Sequence, residues 1–194
     1  MDIPEKVGLP VEVVARRMCF GKTLLRQDFR NPKTGKIDDF YLFDYKMGQA
    51  PAIVLPITEN KRVIAIRQYR HGANQILWEI PGGNKKKPEE SLDDVIRTEL
   101  KEETGYEAKE VIQLAEKLWF EPACFTVPYV PYLALGCKKV KEQELDDTEQ
   151  IEIYEIDLQE WINMILDGIV VDNKTIAMTM ISLRRLGMRI LQNP

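Results

Sequence analysis

Acidic residues at helical spacing are the first feature of this sequence that points to chemistry. The run from Ser91 to Gly105 predicts a helix, with a serine at the N-cap position and a glycine at the C-terminal end. At about 100° per residue, Glu99 and Glu103 point along the same side of that helix as its aliphatic residues. The side that should meet the core therefore carries two carboxylates.

Two buried carboxylates this close together need compensation. Burying like charges is costly unless a cation neutralises them or one of them takes up a proton. Mg²⁺ and Mn²⁺ prefer carboxylate and carbonyl oxygens as ligands and often keep waters for a substrate phosphate. The alternative is an ion pair between Glu99 or Glu103 and a basic side chain of a neighbouring strand. The helix by itself leaves both interpretations open.

A glycine turn stands directly before this acidic helix. Pro81, Gly82 and Gly83 follow a predicted strand that ends at Ile80, and a polar loop over residues 84–90 leads into the helix. Paired glycines let the backbone approach a ligand closely and turn a carbonyl toward it. Strand, turn and helix together favour a metal-binding site over a structural ion pair.

The rest of the chain predicts strands and helices that can position such a site. Strands are predicted over Val11–Phe20, Lys22–Arg30, Phe40–Tyr45, Ala52–Thr58, Arg62–Tyr69, Gln75–Ile80, Glu110–Trp119, Val130–Leu135 and Gln150–Ile156. Two further helices follow the capping residues Asp157 and Asp172, and they end at Gly168 and before Gly187. This order of elements predicts an α/β fold with a mixed sheet packed between helices.

Composition limits the class of protein. A chain of 194 residues with 44% hydrophobic and 30% charged residues is typical of a folded globular protein. The formal net charge of −4 gives no basic footprint for nucleic acid. No apolar run approaches the roughly 20 residues that cross a bilayer. With no apolar signal core at its start, the sequence predicts a cytoplasmic protein that binds neither nucleic acid nor membrane.

The acidic helix and the loop before it resemble the signature of the Nudix hydrolase family, G-x5-E-x7-R-E-U-x-E-E-x-G-U, where U is a bulky aliphatic or aromatic residue. Gly83 and Glu90 are followed, after seven residues, by Thr98 and the run Glu99-Leu100-Lys101-Glu102-Glu103-Thr104-Gly105-Tyr106. Thr98 stands where the family has an arginine that orients the carboxylates. The loop between Gly83 and Glu90 is one residue longer than the pattern.

Further segments resemble the branch of that family that splits ADP-ribose and other nucleoside diphosphate sugars. Arg67-Gln68-Tyr69-Arg70 and Glu79-Ile80-Pro81-Gly82-Gly83 are similar to its R-Q-Y-R and E-L-P-A-G segments. Asp147–Glu152 and Asp172–Thr175 follow the order of the same branch, and Pro122 lies where its ADP-ribose members have a proline. The resemblance therefore covers most of the chain beyond its first fifty residues.

This resemblance implies a fold, an assembly and a set of roles. It implies a Nudix-type α/β/α sandwich with a mixed sheet over 51–194, and a strand extension over 1–50 that pairs two copies into a homodimer. It assigns metal binding to the Gly82 carbonyl, Glu99, Glu103 and Glu149, catalysis to Glu102, Glu103 and Asp147, and substrate binding to Arg70 and Glu79. The residues alone also allow a solvated acidic loop at 146–149, a surface arginine at Arg70 and inter-strand pairing at Glu79.

The activity implied is Mg²⁺-dependent or Mn²⁺-dependent hydrolysis of a pyrophosphate bond. Its substrate would be a nucleoside diphosphate sugar, with ADP-ribose first, and its products a nucleoside monophosphate and a sugar phosphate. GDP-mannose or another sugar nucleotide is the alternative substrate, because the residues after Pro122 depart from the ADP-ribose pattern. A catalytically weak Nudix-fold module that binds nucleotides or regulates is the alternative function, motivated by Thr98 and the longer loop.

Overall fold

The computed structural model describes residues 5–8, 12–15, 23–44, 50–146 and 149–188. Contacts divide the chain into two compact units. Residues 1–50 and 119–128 form the first, called the N-terminal unit, and residues 51–118 and 129–194 form the second, called the main unit. Within the described ranges, no helix combines the length and the apolar character needed to span a bilayer.

The N-terminal unit is built on a small antiparallel sheet. Its strands are β1 (Glu5–Lys6), β2 (Glu12–Ala15), β3 (Thr23–Arg30) and β4 (Ile37–Asp44). β3 pairs with each of the other three. In the β3–β4 connection, Asn31 Oδ1 accepts from the backbone N–H groups of Lys33 and Thr34, as expected where an asparagine opens a turn.

The predicted strands of this unit meet different outcomes. The strand predicted over Lys22–Arg30 is confirmed as β3, and the one predicted over Phe40–Tyr45 begins earlier, at Ile37. Of Val11–Phe20, only β2 lies in the described part of the chain. The segment 119–128 joins this unit through β4, where the Phe43 N–H donates to the Cys124 carbonyl at 2.7 Å.

The main unit contains a mixed sheet of eight strands. They are β5 (Ala52–Thr58), β6 (Arg62–Arg70), β7 (Gln75–Glu79), β8 (Gly82–Gly83), β9 (Tyr106–Glu107), β10 (Glu110–Gln113), β11 (Val130–Lys139) and β12 (Ile151–Asp157). The central order is β10-β11-β5-β6-β12, while β7 pairs with β6, β8 with β5 and β9 with β11. Only β11 and β5 run parallel among these described pairs, so the predicted mixed sheet is confirmed.

In the described part of the chain, three helices pack on this sheet, and all three begin at the predicted caps. They are α1 (Leu92–Thr104), α2 (Leu158–Leu166) and α3 (Asn173–Arg185). The side chains of Ser91, Asp157 and Asp172 accept hydrogen bonds from backbone N–H groups of the first turns. α1 and α3 contact the central strand β5, and α2 contacts β6 and β12. The predicted α/β class is confirmed.

The core lies between this sheet and the helices. β5 is buried along almost its whole length, as is the middle of β6, which is why both read as apolar runs in the sequence. Trp161 of α2 is fully buried, and its Nε1 donates to Thr179 Oγ1 of α3 at 3.0 Å. Trp119, by contrast, is 44% exposed.

Strand ends differ from prediction where pairing, rather than local sequence, sets them. β11 was expected to stop at Leu135, yet it runs to Lys139 past a bulge at Gly136, which has φ of +64°. β10 was expected to reach Trp119 but ends at Gln113. Its partner strand begins at Val130, so little of β11 remains for further residues to pair with.

Candidate functional site

The acidic side of α1 faces the interior of the main unit. Val95, Ile96 and Leu100 are buried and anchor the helix on the sheet. Glu103 lies on the same side and is only 7% exposed, while Glu99 is half-buried. The helical periodicity therefore predicted correctly which carboxylates the fold would remove from water.

The glycine turn lies directly against these carboxylates. The Gly82 N–H donates to Glu103 Oε2 at 3.1 Å. A Cβ built on Gly83 would lie 2.2 Å from Glu99 Cδ, and one built on Gly82 would lie 2.6 Å from the Ala52 carbonyl oxygen of β5. Neither glycine has a positive φ. The backbone of the neighbouring strand therefore requires glycine at position 82, whereas a side chain at position 83 would displace the carboxylate end of Glu99.

Burial perturbs the acidity of both carboxyls. It raises the pKa of Glu103 to about 8, and the nearby charge of Glu99 adds to the effect. Burial also raises the pKa of Glu99 to about 7, against the opposing charge of Lys86. Within the described ranges, neither Glu99 nor Glu103 forms an ion pair. The structural ion pair considered from the sequence is therefore not what holds them.

Glu102, the next carboxylate of α1, points to a different neighbour. It is half-buried, and its Oε2 accepts from Lys86 Nζ at 2.8 Å. Lys86 belongs to the loop between β8 and α1, where its own backbone N–H donates to Glu90 Oε2 at 2.9 Å. The ion pair with Glu102 raises the pKa of Lys86. One cation of the loop thus lies at the edge of the acidic helix.

A second acidic segment, called the acidic loop, approaches the same helix through its described residues 141–146 and 149. The Glu144 N–H donates to the Glu102 carbonyl at 2.8 Å, which fixes the loop to the end of α1. Glu149 Oε2 accepts from the Asp146 N–H at 3.1 Å, so these two acidic residues are in direct contact. The charges of Asp146 and Glu149 raise the pKa of Glu99. The predicted catalytic residue Asp147 lies outside the described residues.

Arg70 and Glu79 form a two-pronged ion pair. Arg70 ends β6 and Glu79 ends β7, the strand that pairs with it. Arg70 Nε donates to Glu79 Oε1 at 2.6 Å, and Nη2 donates to Oε2 at 2.5 Å. Glu79 is only 2% exposed, whereas the Arg70 side chain is 46% exposed. A buried carboxylate therefore orients an arginine whose outer edge faces solvent.

Arg70 also lies close to other charges of the site. The charges of Glu103 and Asp172 act on its guanidinium, and Arg70 in turn lowers the pKa of Glu103. Asp172 was predicted only as the cap of α3, a role that its bond from the Thr175 N–H confirms. Its proximity to Arg70 depends on how distant segments pack. The capping pattern around Asp172 contains no information about this proximity.

The donor set fits a divalent cation in chemistry, although the ligand shell is incomplete among the described residues. No group of three His, Cys, Asp or Glu side chains meets with metal-binding geometry in the ranges that the structure describes. Glu99 and Glu103 nevertheless offer hard oxygen ligands, a deficit of positive charge and a glycine-walled approach. Backbone carbonyls and water supply the remaining ligands at many such sites.

The predicted site residues are therefore partly brought together. The Gly82 N–H bonds to Glu103, and Glu99 lies against Gly83, the next residue of the turn. Glu102 flanks these carboxylates, and the charge of Glu149 contributes to the raised pKa of Glu103. Lys86 was missed, although three consecutive lysines in the lengthened loop were a visible signal.

Comparisons with known proteins agree with this geometry. The model of the NUDIX domain matches residues 47–167. The ADP-ribose pyrophosphatase of Bacillus subtilis (strain 168) is 28% identical over 155 residues, which cover 73% of this chain and 83% of that protein. The methanol dehydrogenase activator of Bacillus methanolicus is 31% identical over 127 residues, covering 63% of this chain and 66% of that protein.

A solved structure has the same fold. A crystal structure described as an ADP compounds hydrolase superposes with a TM-score of 0.81 at 21% identity, covering 96% of this chain and 97% of that one. At this identity the likeness establishes the fold alone. Because the NUDIX model matches more than half of the chain and includes the acidic helix, the chain belongs to the Nudix hydrolase family, and this membership indicates a pyrophosphohydrolase.

Proposed function

We propose that this protein hydrolyses the pyrophosphate bond of a nucleoside diphosphate sugar in a reaction that depends on Mg²⁺. Nudix enzymes generally use divalent metals. The observation that carries the proposal is the buried Glu103 carboxylate, which has Glu99 one turn away and no ion-pair partner in the described ranges. The relative named ADP-ribose pyrophosphatase supports the substrate class.

The metal would be held where the helix meets the glycine turn. Glu99 and Glu103 would bind it through their carboxylates, with the Gly82 carbonyl and Glu149 as further ligands. Bound there, the cation would draw charge from the pyrophosphate and promote ionisation of the attacking water. Glu102 flanks the two ligands, and the family resemblance assigns a catalytic role to Asp147, so these two residues are the candidates for receiving the proton of that water.

Substrate phosphate would be held by Arg70. Its bonds to Glu79 use Nε and Nη2, so Nη1 remains for another acceptor. Because Glu79 is buried and fixes the plane of the guanidinium, little side-chain entropy is lost when a phosphate binds. Glu79 therefore acts as the residue that positions Arg70. This role includes inter-strand pairing of Glu79 and an indirect part in substrate binding, the two interpretations that the sequence left open for it.

ADP-ribose is the first substrate expected, followed by GDP-mannose and other sugar nucleotides. A phosphate-release assay with added phosphatase tests this choice on a panel of nucleotide sugars with Mg²⁺ or Mn²⁺. A second candidate function, a nucleotide-binding module without catalysis, is favoured by Thr98, which stands where the family signature has arginine. Tight binding of a nucleotide sugar with no release of monophosphate would support that second function.

Replacing Glu103 by glutamine should remove most of the activity and leave the fold intact. The substitution keeps the side-chain shape but takes one charge from the metal site, so we expect turnover to fall by at least about 100-fold. Mg²⁺ should also raise the melting temperature of wild type more than that of the variant. Glu110→Gln, at an exposed position of β10, is the matched control. Near-normal turnover of Glu103→Gln at saturating Mg²⁺ would refute the assignment.

Removing the metal should make stability fall with rising pH. The pKa of Glu103, raised mainly by burial, is about 8 in the folded protein against an ordinary value of 4.5, so between these values the folded state holds a proton that the unfolded chain has released. The stabilisation this gives is complete below the lower value and is lost as pH rises through the higher one. With EDTA, the melting temperature should therefore drop more steeply between about pH 5 and 8 in wild type than in Glu103→Gln. Equal slopes in the two proteins would contradict the assigned burial.

Replacing Arg70 by alanine should lower kcat/KM toward nucleoside diphosphate sugars. One charge-assisted contact contributes roughly 1.5 to 3 kcal/mol, and more if it strengthens in the transition state, so we expect a loss of about 10- to 1000-fold. Arg184→Ala, in the exposed last turn of α3, should change nothing. Hydrolysis of dNTPs far faster than of every sugar nucleotide in the panel would show that the proposed substrate class is wrong.

The protein should be a homodimer. This expectation rests on the family branch that the sequence resembles, and β4 of the N-terminal unit supports it by exposing Ile37 by 44%, Phe40 by 48% and Tyr41 by 55%. Ile37 and Tyr41 share one face of this strand and Phe40 lies on the other, and exposed apolar side chains are a feature of interaction surfaces. Light scattering at micromolar concentration should give twice the chain mass of 22.5 kDa. A monomer mass under those conditions would refute the prediction.

A further inference from the structure

A lysine from the loop before α1 faces the acidic side chains of two different elements. Lys86 Nζ donates to Glu102 Oε2 at 2.8 Å. Its charge also acts on Glu99 of α1 and on Asp146 of the acidic loop. The lysine therefore lies where negative charge from the helix and from the loop converges.

The loop is folded so that this lysine is held in place. The Lys86 N–H donates to Glu90 Oε2 at 2.9 Å, and the Glu90 N–H donates to the Lys87 carbonyl at 3.2 Å. Glu90 is the glutamate that matches the family signature, and the loop it closes is the one with an additional residue. The longer loop thus brings a cation to Glu102.

No arginine of α1 reaches this position. The signature arginine is replaced by Thr98, and the neighbouring Arg97 donates to the Ala108 carbonyl at 3.1 Å. Thr98, Arg97 and Glu102 instead line a cavity of about 360 Å³ beside the helix. The lysine next to Glu102 on the helix, Lys101, donates instead to Glu107 Oε1 at 2.6 Å, and Lys86 is the basic residue that bonds to the Glu102 carboxylate.

We propose that Lys86 is a positioning residue that holds Glu102 and supplies the counter-charge of the acidic site, in place of the arginine missing at position 98. The proposal rests on the proposed function for its effect on turnover. Lys86 holds one carboxylate oxygen, Oε2, and leaves Oε1 without a hydrogen bond to any described residue. The side chains of the pair are 58% and 36% exposed, and an ion pair this exposed contributes little to fold stability. Stability of the fold alone does not explain it.

The test compares Lys86→Met with Lys87→Met, an equal change of charge at the next, exposed position of the loop. Mn²⁺ binding is measured by electron paramagnetic resonance on metal-free protein without nucleotide, and kcat and KM are measured on ADP-ribose. Removing the counter-charge should tighten Mn²⁺ binding by about 3- to 10-fold. Loss of positioning should lower kcat by about 10- to 100-fold and change KM by less than about threefold. Lys87→Met should match wild type, and Lys86→Arg should restore both values.

Two results would overturn the proposal. If Lys86→Met matches Lys87→Met in Mn²⁺ affinity and in kcat, the pair is a surface ion pair and nothing more. If KM rises while kcat and Mn²⁺ affinity stay constant, Lys86 binds substrate and does not position Glu102. Failure of the proposed function can be distinguished from both results. A protein that is inactive on every nucleotide sugar still allows the Mn²⁺ affinities of Lys86→Met and Lys87→Met to be compared. Equal affinities would refute the proposal that Lys86 supplies the counter-charge.

Discussion

Burial of the Glu103 carboxylate against the Gly82 N–H is the interaction around which the site of the main unit is arranged. One amide hydrogen bond offsets only part of the cost of taking a carboxylate out of water. The remaining desolvation cost disfavours the charged carboxylate, and burial therefore raises the pKa of Glu103 to about 8. A cation beside the carboxylate would remove that cost. On the proposed function, the unfavourable burial of this carboxylate in the metal-free protein would also be the source of an affinity for a divalent ion.

Two basic side chains whose charges act on Glu103 and Glu99 each form an ion pair with a different carboxylate. Arg70 is bound through two bonds to Glu79, and Lys86 is bound to Glu102. Both are close enough for their charges to act on the site, yet neither forms an ion pair with Glu103. Negative charge therefore exceeds positive charge at the centre of the site, while cations occupy its two flanks. Such an arrangement suits a metal at the centre and substrate phosphates beside it.

Local interactions explain which parts of the fold were predictable from the sequence. The helix caps at Ser91, Asp157 and Asp172 depend on residues within three positions, so each could be recognised from its own segment. Strand ends depend on the partner strand. The sequence predicts a strand over Val130–Leu135, whereas pairing with β5 carries β11 past Gly136 through a bulge. The same reasoning applies to the site: helical periodicity identified the carboxylates of α1, but the approach of Lys86 depends on tertiary packing.

Gly105 connects the end of α1 to the completion of the site. Its φ of +76° ends the helix in the left-handed conformation, which is why the sequence alone could predict the stop. A Cβ at this position would lie 2.2 Å from the Lys141 carbonyl oxygen, so glycine is also required for the start of the acidic loop to cross the helix end. That crossing lets the Glu144 N–H bond to the Glu102 carbonyl and brings Glu149 within electrostatic range of Glu103. Gly105 therefore has two roles. It ends the helix, which the sequence predicts, and it leaves space for the Lys141 backbone, which only the fold reveals. The second role allows the carboxylates of the acidic loop to lie near those of the helix.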